Sequence, residues 1–235
     1  MKLSVLMPVF NEAKTLEEAL RRVRDTRFPN EIIAVDDGST DGSRDILKRV
    51  EAEAKENGAS TNFKVVLKPL NQGKGAAIRS GLEHVTGDVV IIQDADLEYD
   101  PRDYGNLLEP ILTGRADVVY GTRFSGGGPH RVLFFWHDVG NRLVTLFSNA
   151  LTNLNLTDME VGYKAFRAEV IKGLKLESNR FGFEPEVTMK IAKKGCRVYE
   201  VPISYHGRTY AEGKKITWKD GLAAVYWSLL YRLKD

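Results

Sequence analysis

Short continuous apolar runs alternate, through the first half of the chain, with stretches in which apolar residues recur at helical spacing. Leu3 to Val9, Glu31 to Val35, Phe63 to Leu67 and Val89 to Ile92 read as strands, and the β-branched run Val89-Val90-Ile91-Ile92 suits the interior of a parallel sheet. Between them, Leu16, Leu20 and Val23 mark a helix for which Thr15 and Glu18 have the spacing of a capping box. Ile46, Leu47, Val50 and Ala54 mark a second helix that stops at Asn57-Gly58, and a third runs from about Ala76 to His84. Strand and helix alternating through short turns predict right-handed βαβ units and an α/β, doubly wound, mainly parallel sheet flanked by helices. Asp117 to Gly121 adds a strand, and Ser125-Gly126-Gly127-Gly128-Pro129 then breaks the alternation. Val132 to Leu154 is helical and rich in aromatics, and Val198 to Ile203 is a last strand. A final amphipathic helix, Ile216 to Leu233, carries Leu222, Val225, Tyr226, Leu229, Leu230 and Leu233 on one side. No repeat or linker divides the chain, so residues 1–235 are expected to form one domain.

In such sheets ligands bind beyond the carboxyl ends of the strands, and three carboxylates, Asp94, Asp96 and Glu98, follow Val89 to Ile92 at alternating positions. Hard oxygen donors of this kind suit Mg²⁺ or Mn²⁺ that keeps coordination places for phosphate oxygens, although an acidic run after a strand also serves as a solvated turn. Two further loops, Pro8-Val9-Phe10-Asn11-Glu12 and Asp36-Asp37-Gly38-Ser39, should lie side by side on the same edge. Pro8, Phe10, Glu12, Asp36 and Asp37 there could form a pocket for a nucleobase and ribose; a helix N-cap at Ser39 or Thr40 with solvated carboxylates is the alternative. The dinucleotide and P-loop fingerprints are excluded by Ile78 and by spacing. Lys74, between Gly73 and Gly75 at a helix start, offers a cation to a diphosphate or sits in a solvated turn.

A net charge of only +2 gives no reason to invoke nucleic acid. The single cysteine, Cys196, excludes an internal disulfide and fits a small core residue in a reducing, cytoplasmic compartment. His84, His130, His137 and His206 show no metal-ligand spacing. No apolar run reaches the ~20 residues that span a bilayer, so membrane contact is expected to be peripheral, at the cytoplasmic face.

Four motifs taken in order carry a specific resemblance: Pro8-Val9-Phe10-Asn11-Glu12, Val35-Asp36-Asp37-Gly38-Ser39-Thr40-Asp41-Gly42, Asn71-Gln72-Gly73-Lys74-Gly75-Ala76-Ala77 and Asp94-Ala95-Asp96-Leu97-Glu98. Together they resemble the nucleotide-sugar half of inverting family 2 glycosyltransferases, which implies a GT-A-like fold. Gly121-Thr122-Arg123-Phe124, Thr157-Asp158-Met159-Glu160-Val161-Gly162-Tyr163-Lys164, Phe183-Glu184-Pro185-Glu186 and the segment from Arg208 to Lys215 resemble its polyprenyl-phosphate branch, the dolichyl-phosphate mannose synthases and glucosyltransferases. The resemblance implies a donor half over 1–121 and an acceptor half over 122–235. It implies that Asp36 and Asp37 hold base and ribose, that Asp94, Asp96 and Glu98 bind Mg²⁺ or Mn²⁺, and that Arg208 steadies the donor diphosphate. Arg123, Arg131 and Arg142 would receive a lipid phosphate. UDP-glucose and GDP-mannose are the donors it suggests, and Asp96, Arg208 and Arg123 would carry catalysis.

The acceptor reading has a physical basis of its own. A sugar or protein hydroxyl needs a general base, for which Glu184 or Glu186 would serve, whereas a phosphate monoester, with second pKa about 6, is already largely dianionic and needs cations to hold it. Arg123, Arg131 and Arg142 flank the glycine-rich loop, and the apolar segment Leu133-Phe134-Phe135-Trp136, continued by Leu143, Val144, Leu146, Phe147 and Leu151, lies beside them. That segment suits a polyprenyl tail, core packing or a dimer contact. Trp218, Trp227 and Tyr231 with Lys219, Arg232 and Lys234 suit either a membrane surface or the core. A non-catalytic nucleotide-sugar-binding protein is the remaining alternative, against which Asp94, Asp96 and Lys74 argue.

Overall fold

Continuous apolar runs become the middle strands of a sheet, because only a strand covered on both faces has no use for polar alternation. In the computed structural model, β1 (Leu3–Val9) lies between β2 (Glu31–Asp36) and β4 (Val89–Ile92), parallel to both, and β3 (Asn62–Leu67) extends the sheet beyond β2. β2 and β4 are buried at every position, whereas β3, at the edge, buries only Phe63 fully. The described residues are all but 27, 57–60, 126–130, 133, 210–217 and 235, with 218 and 219 described by backbone alone. The expected helix stop at Asn57-Gly58, the Gly126 to Pro129 turn, His130, Leu133 and the Tyr210 to Lys215 part of the last motif lie outside them.

The other half of the sheet holds β5 (Val118–Thr122), β7 (Val198–Pro202) and a strand absent from the sequence reading, β6 (Lys164–Arg167). β6 runs antiparallel between β4 and β5, giving the order β3-β2-β1-β4-β6-β5-β7. Its four residues, Lys-Ala-Phe-Arg, form no apolar run, because the Lys164 side chain is fully buried there. A mainly parallel seven-stranded sheet flanked by helices is the expected fold class.

Helices α1 (Leu16–Asp25), α2 (Ser43–Glu56) and α3 (Lys74–Leu82) cover the first strands. A Cβ on Gly81 would overlap Leu6 and lie 2.9 Å from Val35, so glycine lets α3 ride close on β1 and β2. Helices α4 (Tyr104–Leu112), α6 (Ala168–Lys172) and α7 (Phe183–Lys193) are further additions to the sequence reading. The capping box does not form: the Thr15 hydroxyl donates to the Ala95 carbonyl at 2.8 Å, and Glu18 pairs with Arg21 and Arg22. That hydroxyl ties the start of α1 to the acidic loop after β4.

A helical pair, α5 (Phe135–Thr152) and α8 (Trp218–Leu233), packs together and against α7. Of the two readings open for α8, the large apolar residues Leu222, Tyr226, Leu229 and Leu233 of its stripe point outward, and small Ala224 and Ser228, with Tyr231, fill the inner face. Small side chains let neighbouring helix axes approach, and the large apolar residues are left outside.

Candidate active site

The loops after β1 and β2 are zipped together beyond the sheet's carboxyl edge. The Asn11 backbone donates to Ser39 Oγ at 3.0 Å, the Thr40 backbone to Asn11 Oδ1 at 2.8 Å, and the Glu12 backbone to Ser43 Oγ at 2.9 Å. Asp36 and Asp37 lie at the floor of this edge, buried and already engaged. Asp36 accepts from Arg44 at 2.6 Å and from the Ser39 backbone at 3.2 Å. Asp37 accepts from Lys68 at 2.5 Å and from the Gly73 backbone at 2.6 Å, which pins the glycine turn in front of α3. At Gly73 φ is +102°, and a Cβ would overlap the Asn179 carbonyl, so only glycine lets that turn pass.

The loop after β4 brings the acidic residues to the same edge. Leu97, between Asp96 and Glu98, sits at φ +64°, a conformation that leucine avoids and that cost of order 1–3 kcal/mol marks as imposed by its surroundings. Two cations divide the carboxylates. Lys74 Nζ lies 3.0 Å from Asp94 and 3.2 Å from Glu184, and Arg208 lies 2.7 Å from Asp96, 3.1 Å from Glu98 and 3.4 Å from Glu12. Five carboxylates thus face two cations, and burial with the charges of Asp94 and Glu98 lifts Asp96 to about 7. Among the described residues no three acidic or imidazole side chains converge closely enough to grip an ion as they stand, since Arg208 and Lys74 lie between them. The donor chemistry nevertheless fits a hard divalent cation: oxygen ligands with surplus negative charge at the mouth of a loop.

On the neighbouring side, Arg123 at the end of β5 is held by the buried Asp158 carboxylate through two contacts of 2.6 Å. Its guanidinium lies over the rings of Phe124, at 5.5 Å, and Tyr205, at 5.2 Å. Arg142, on the exposed side of α5, pairs with Asp138 at 2.9 Å and shares the Phe124 ring at 5.7 Å. Beside them opens a cavity of about 350 Å³ lined by Phe124, Arg142, Leu146, Asn149 and Leu156. Arg131 donates to the Gly207 carbonyl at 3.0 Å, next to Arg208. The structure thus brings Arg123 and Arg142 together around one ring and sets Arg131 against the Arg208 segment. The His137 ring lies 5.4 Å from that of Phe134, tilted by 54°.

Comparison with known proteins identifies the family. Residues 4–174 match the sequence profile "Glycosyl transferase family 2". The chain belongs to glycosyl transferase family 2. This glycosyltransferase is 32% identical over 227 residues to an undecaprenyl-phosphate mannosyltransferase of Micrococcus luteus, covering 91% of this chain and 87% of that one. It is 30% identical over 218 residues to a dolichol-phosphate mannosyltransferase of Pyrococcus furiosus, of which it spans 59%. In fold it is similar to glucosyl-3-phosphoglycerate synthase of Mycobacterium tuberculosis, solved with Mn²⁺, UDP and glucosyl-3-phosphoglycerate, at a TM-score of 0.71 and 21% identity over 98% of this chain and 79% of that one.

In this glycosyltransferase the structure separates the two candidate bases and adds residues around the edge that sequence reasoning did not single out. Glu186, one of the two carboxylates weighed as a base, is fully buried and accepts from the backbones of Glu177 and Ser178 at 2.7 and 2.8 Å, so it caps a loop. Glu184 alone of that pair reaches the site. Behind it lie Glu160, lifted by burial and by Glu184 to about 8, and Lys164, lowered by burial to about 8 with its ammonium 4.7 Å from the centre of the Tyr120 ring. Tyr205 donates to Glu98 at 3.0 Å, and Tyr99 accepts from the Gly162 backbone at 2.9 Å. No spacing in the sequence singles out these tyrosines; their partners lie more than sixty residues away.

Proposed function

We propose that this domain transfers a hexose from a nucleotide diphosphate sugar to a polyprenyl phosphate with inversion at the anomeric carbon, residues 1–121 supplying the donor site and 122–235 the acceptor site. The observation that carries the reading is the arginine cluster beside the acidic edge: Arg123 and Arg142 around Phe124, where an acceptor that arrives ionised needs cations. The names of the Micrococcus and Pyrococcus relatives support the same acceptor class.

Asp94, Asp96 and Glu98 would hold Mg²⁺ or Mn²⁺, which when bound supplies positive charge to the leaving diphosphate. Lys74 and Arg208 face the same diphosphate from the glycine turn and from the segment after β7. An acceptor phosphate oxygen, steadied by the arginines, forms its bond to the anomeric carbon as the bond to the nucleoside diphosphate breaks. Fixed cations at the leaving group help most as charge develops there. No proton has to be removed from such an acceptor. A hydroxyl acceptor would call on Glu184, whose carboxylate is tied to Lys74 at 3.2 Å.

The outward faces of α5 and α8 support peripheral membrane contact. Phe135, Trp136, Leu143 and Leu146 on one helix and Leu222, Tyr226, Leu229 and Leu233 on the other are exposed, Trp136 at 78%. Among the described residues no helix is long and apolar enough to cross a membrane.

A thermal-shift panel of UDP- and GDP-sugars with Mn²⁺, followed by transfer assays, tests the reading. Stabilisation by one base and sugar transfer to a short polyprenyl phosphate are expected; transfer to saccharide hydroxyls instead would overturn the acceptor. The Asp96 carboxyl adds a pH signature. Its folded value, about 7 against an ordinary 3.8, means that its share of stability is present below pH 3.8 and is lost as pH rises through 7. A divalent ion offsets that loss and displaces the proton. Mn²⁺ should therefore raise the melting temperature more above pH 7 than below it, and an equal rise on both sides would remove Asp96 from the ligand set.

A further inference from the structure

We propose that Tyr205 is a positioning residue that couples the donor and acceptor subsites, its hydroxyl holding Glu98 and its ring carrying Arg123. The role presupposes the transfer reaction proposed for this domain. The Tyr205 hydroxyl donates to Glu98 Oε2 at 3.0 Å, while Glu98 Oε1 takes the Arg208 backbone N–H at 3.0 Å and its Nε at 3.1 Å. On its face, the Arg123 guanidinium lies 5.2 Å from the ring centre, and the Tyr99 ring lies 5.5 Å away. One side chain therefore touches a carboxylate of the acidic edge and a cation of the arginine cluster.

Contacts other than the Tyr205 hydroxyl and ring also fix the segment that presents it. A β-bridge joins Tyr205 to Tyr99, the His206 backbone donates to the Glu98 carbonyl at 2.8 Å, and the Ser204 backbone donates to Asp103 at 2.7 Å. Burial and the adjacent Glu98 charge hold the phenol well above its ordinary pKa, so it stays a hydrogen-bond donor. Phe124 supplies a second ring to Arg123, but it does not reach the acidic edge. When an acceptor phosphate draws Arg123, the ring under it is the ring whose hydroxyl aims Glu98 at the donor. Donor and acceptor affinities are then linked, and linkage is reciprocal.

The test separates the two functions of the ring. Tyr205→Phe keeps the face and removes the hydroxyl; Tyr205→Leu removes both. Calorimetry on the full chain with Mn²⁺ plus UDP, Mn²⁺ plus GDP, and geranyl phosphate should find nucleotide affinity about tenfold weaker in Tyr205→Phe, the size of one lost bond to a charged group, with geranyl phosphate unchanged. Tyr205→Leu should weaken both. In the wild type each probe should shift the affinity of the other by the same factor, and Tyr205→Phe should bring that factor close to one. In turnover, the Phe variant should raise KM for the donor, and its KM for the acceptor should no longer change with donor concentration. Unaltered nucleotide affinity in Tyr205→Phe, or equal losses in both variants with equal drops in melting temperature, would overturn the coupling alone. Wild-type protein that binds neither nucleotide nor geranyl phosphate would overturn the transfer reading together with it.

Discussion

Asp96→Asn is expected to lower kcat by at least about a hundred- to a thousandfold, the scale of removing one preorganised electrostatic contact from a transition state. It should do so without unfolding the domain. Asp96 is held among Asp94, Glu98 and burial that together raise its carboxyl to about 7, so its ionisation is a burden on the folded state at and above neutrality. Asparagine keeps the size, leaves Arg208 with Glu98 and Glu12, and removes the surplus charge. The melting temperature of the variant without added metal should equal or exceed that of the wild type above pH 7, while its rise with Mn²⁺ and nucleotide disappears. Full activity in Asp96→Asn would remove the acidic edge from the reaction.

Arg123→Ala should lose both acceptor use and stability, and the two losses are separable. Asp158 is fully buried, and without Arg123 it is a carboxylate lacking its main counter-ion, a situation worth about 3–5 kcal/mol. The Asn141 amide at 3.2 Å and the Arg123 backbone N–H at 3.1 Å remain, which places the loss toward the lower end. Replacing both members, Arg123→Leu with Asp158→Leu, removes the stranded charge and should recover most of the stability in urea unfolding. It should not recover acceptor binding, because the cation is still gone. Wild-type affinity for geranyl phosphate in either folded variant would sink the acceptor role of Arg123.

Of the strands that the apolar pattern marks, β1, β2, β4 and β5 are buried almost throughout, and β3 and β7, at the sheet edges, only in part. β1 and β4 have the expected limits, and β2, β3 and β5 differ by a residue or so at their ends. What the pattern misses is polar side chains that the fold neutralises internally. β6 hides Lys164, and α7 buries Glu184, Glu186 and Lys190, with Glu186 and Lys190 paired at 2.9 Å, so neither element carries an apolar period. On α8 the periodicity marks an apolar stripe and not the direction in which it points, which is outward at Leu222, Tyr226, Leu229 and Leu233. At the site, Arg208 pairs with Asp96 at 2.7 Å and with Glu98 at 3.1 Å. Asp36 and Asp37 reach the same edge with their oxygens already bonded to Arg44, Lys68 and backbone amides. Tyr205 became visible only once β7 had carried it against the loop after β4.

The antiparallel β6 also fixes the order in which a growing polypeptide can complete itself. When β4 and β5 have left the ribosome they have no shared neighbour, and each keeps a bare hydrogen-bonding edge until residues 164–167 are synthesised and slot between them. The Gly162 backbone reaches Tyr99 through the same insertion, bringing the chain up against Asp94. Nascent fragments ending before Lys164 therefore expose both edges, and the sheet is complete only when β7, at residues 198–202, pairs with β5.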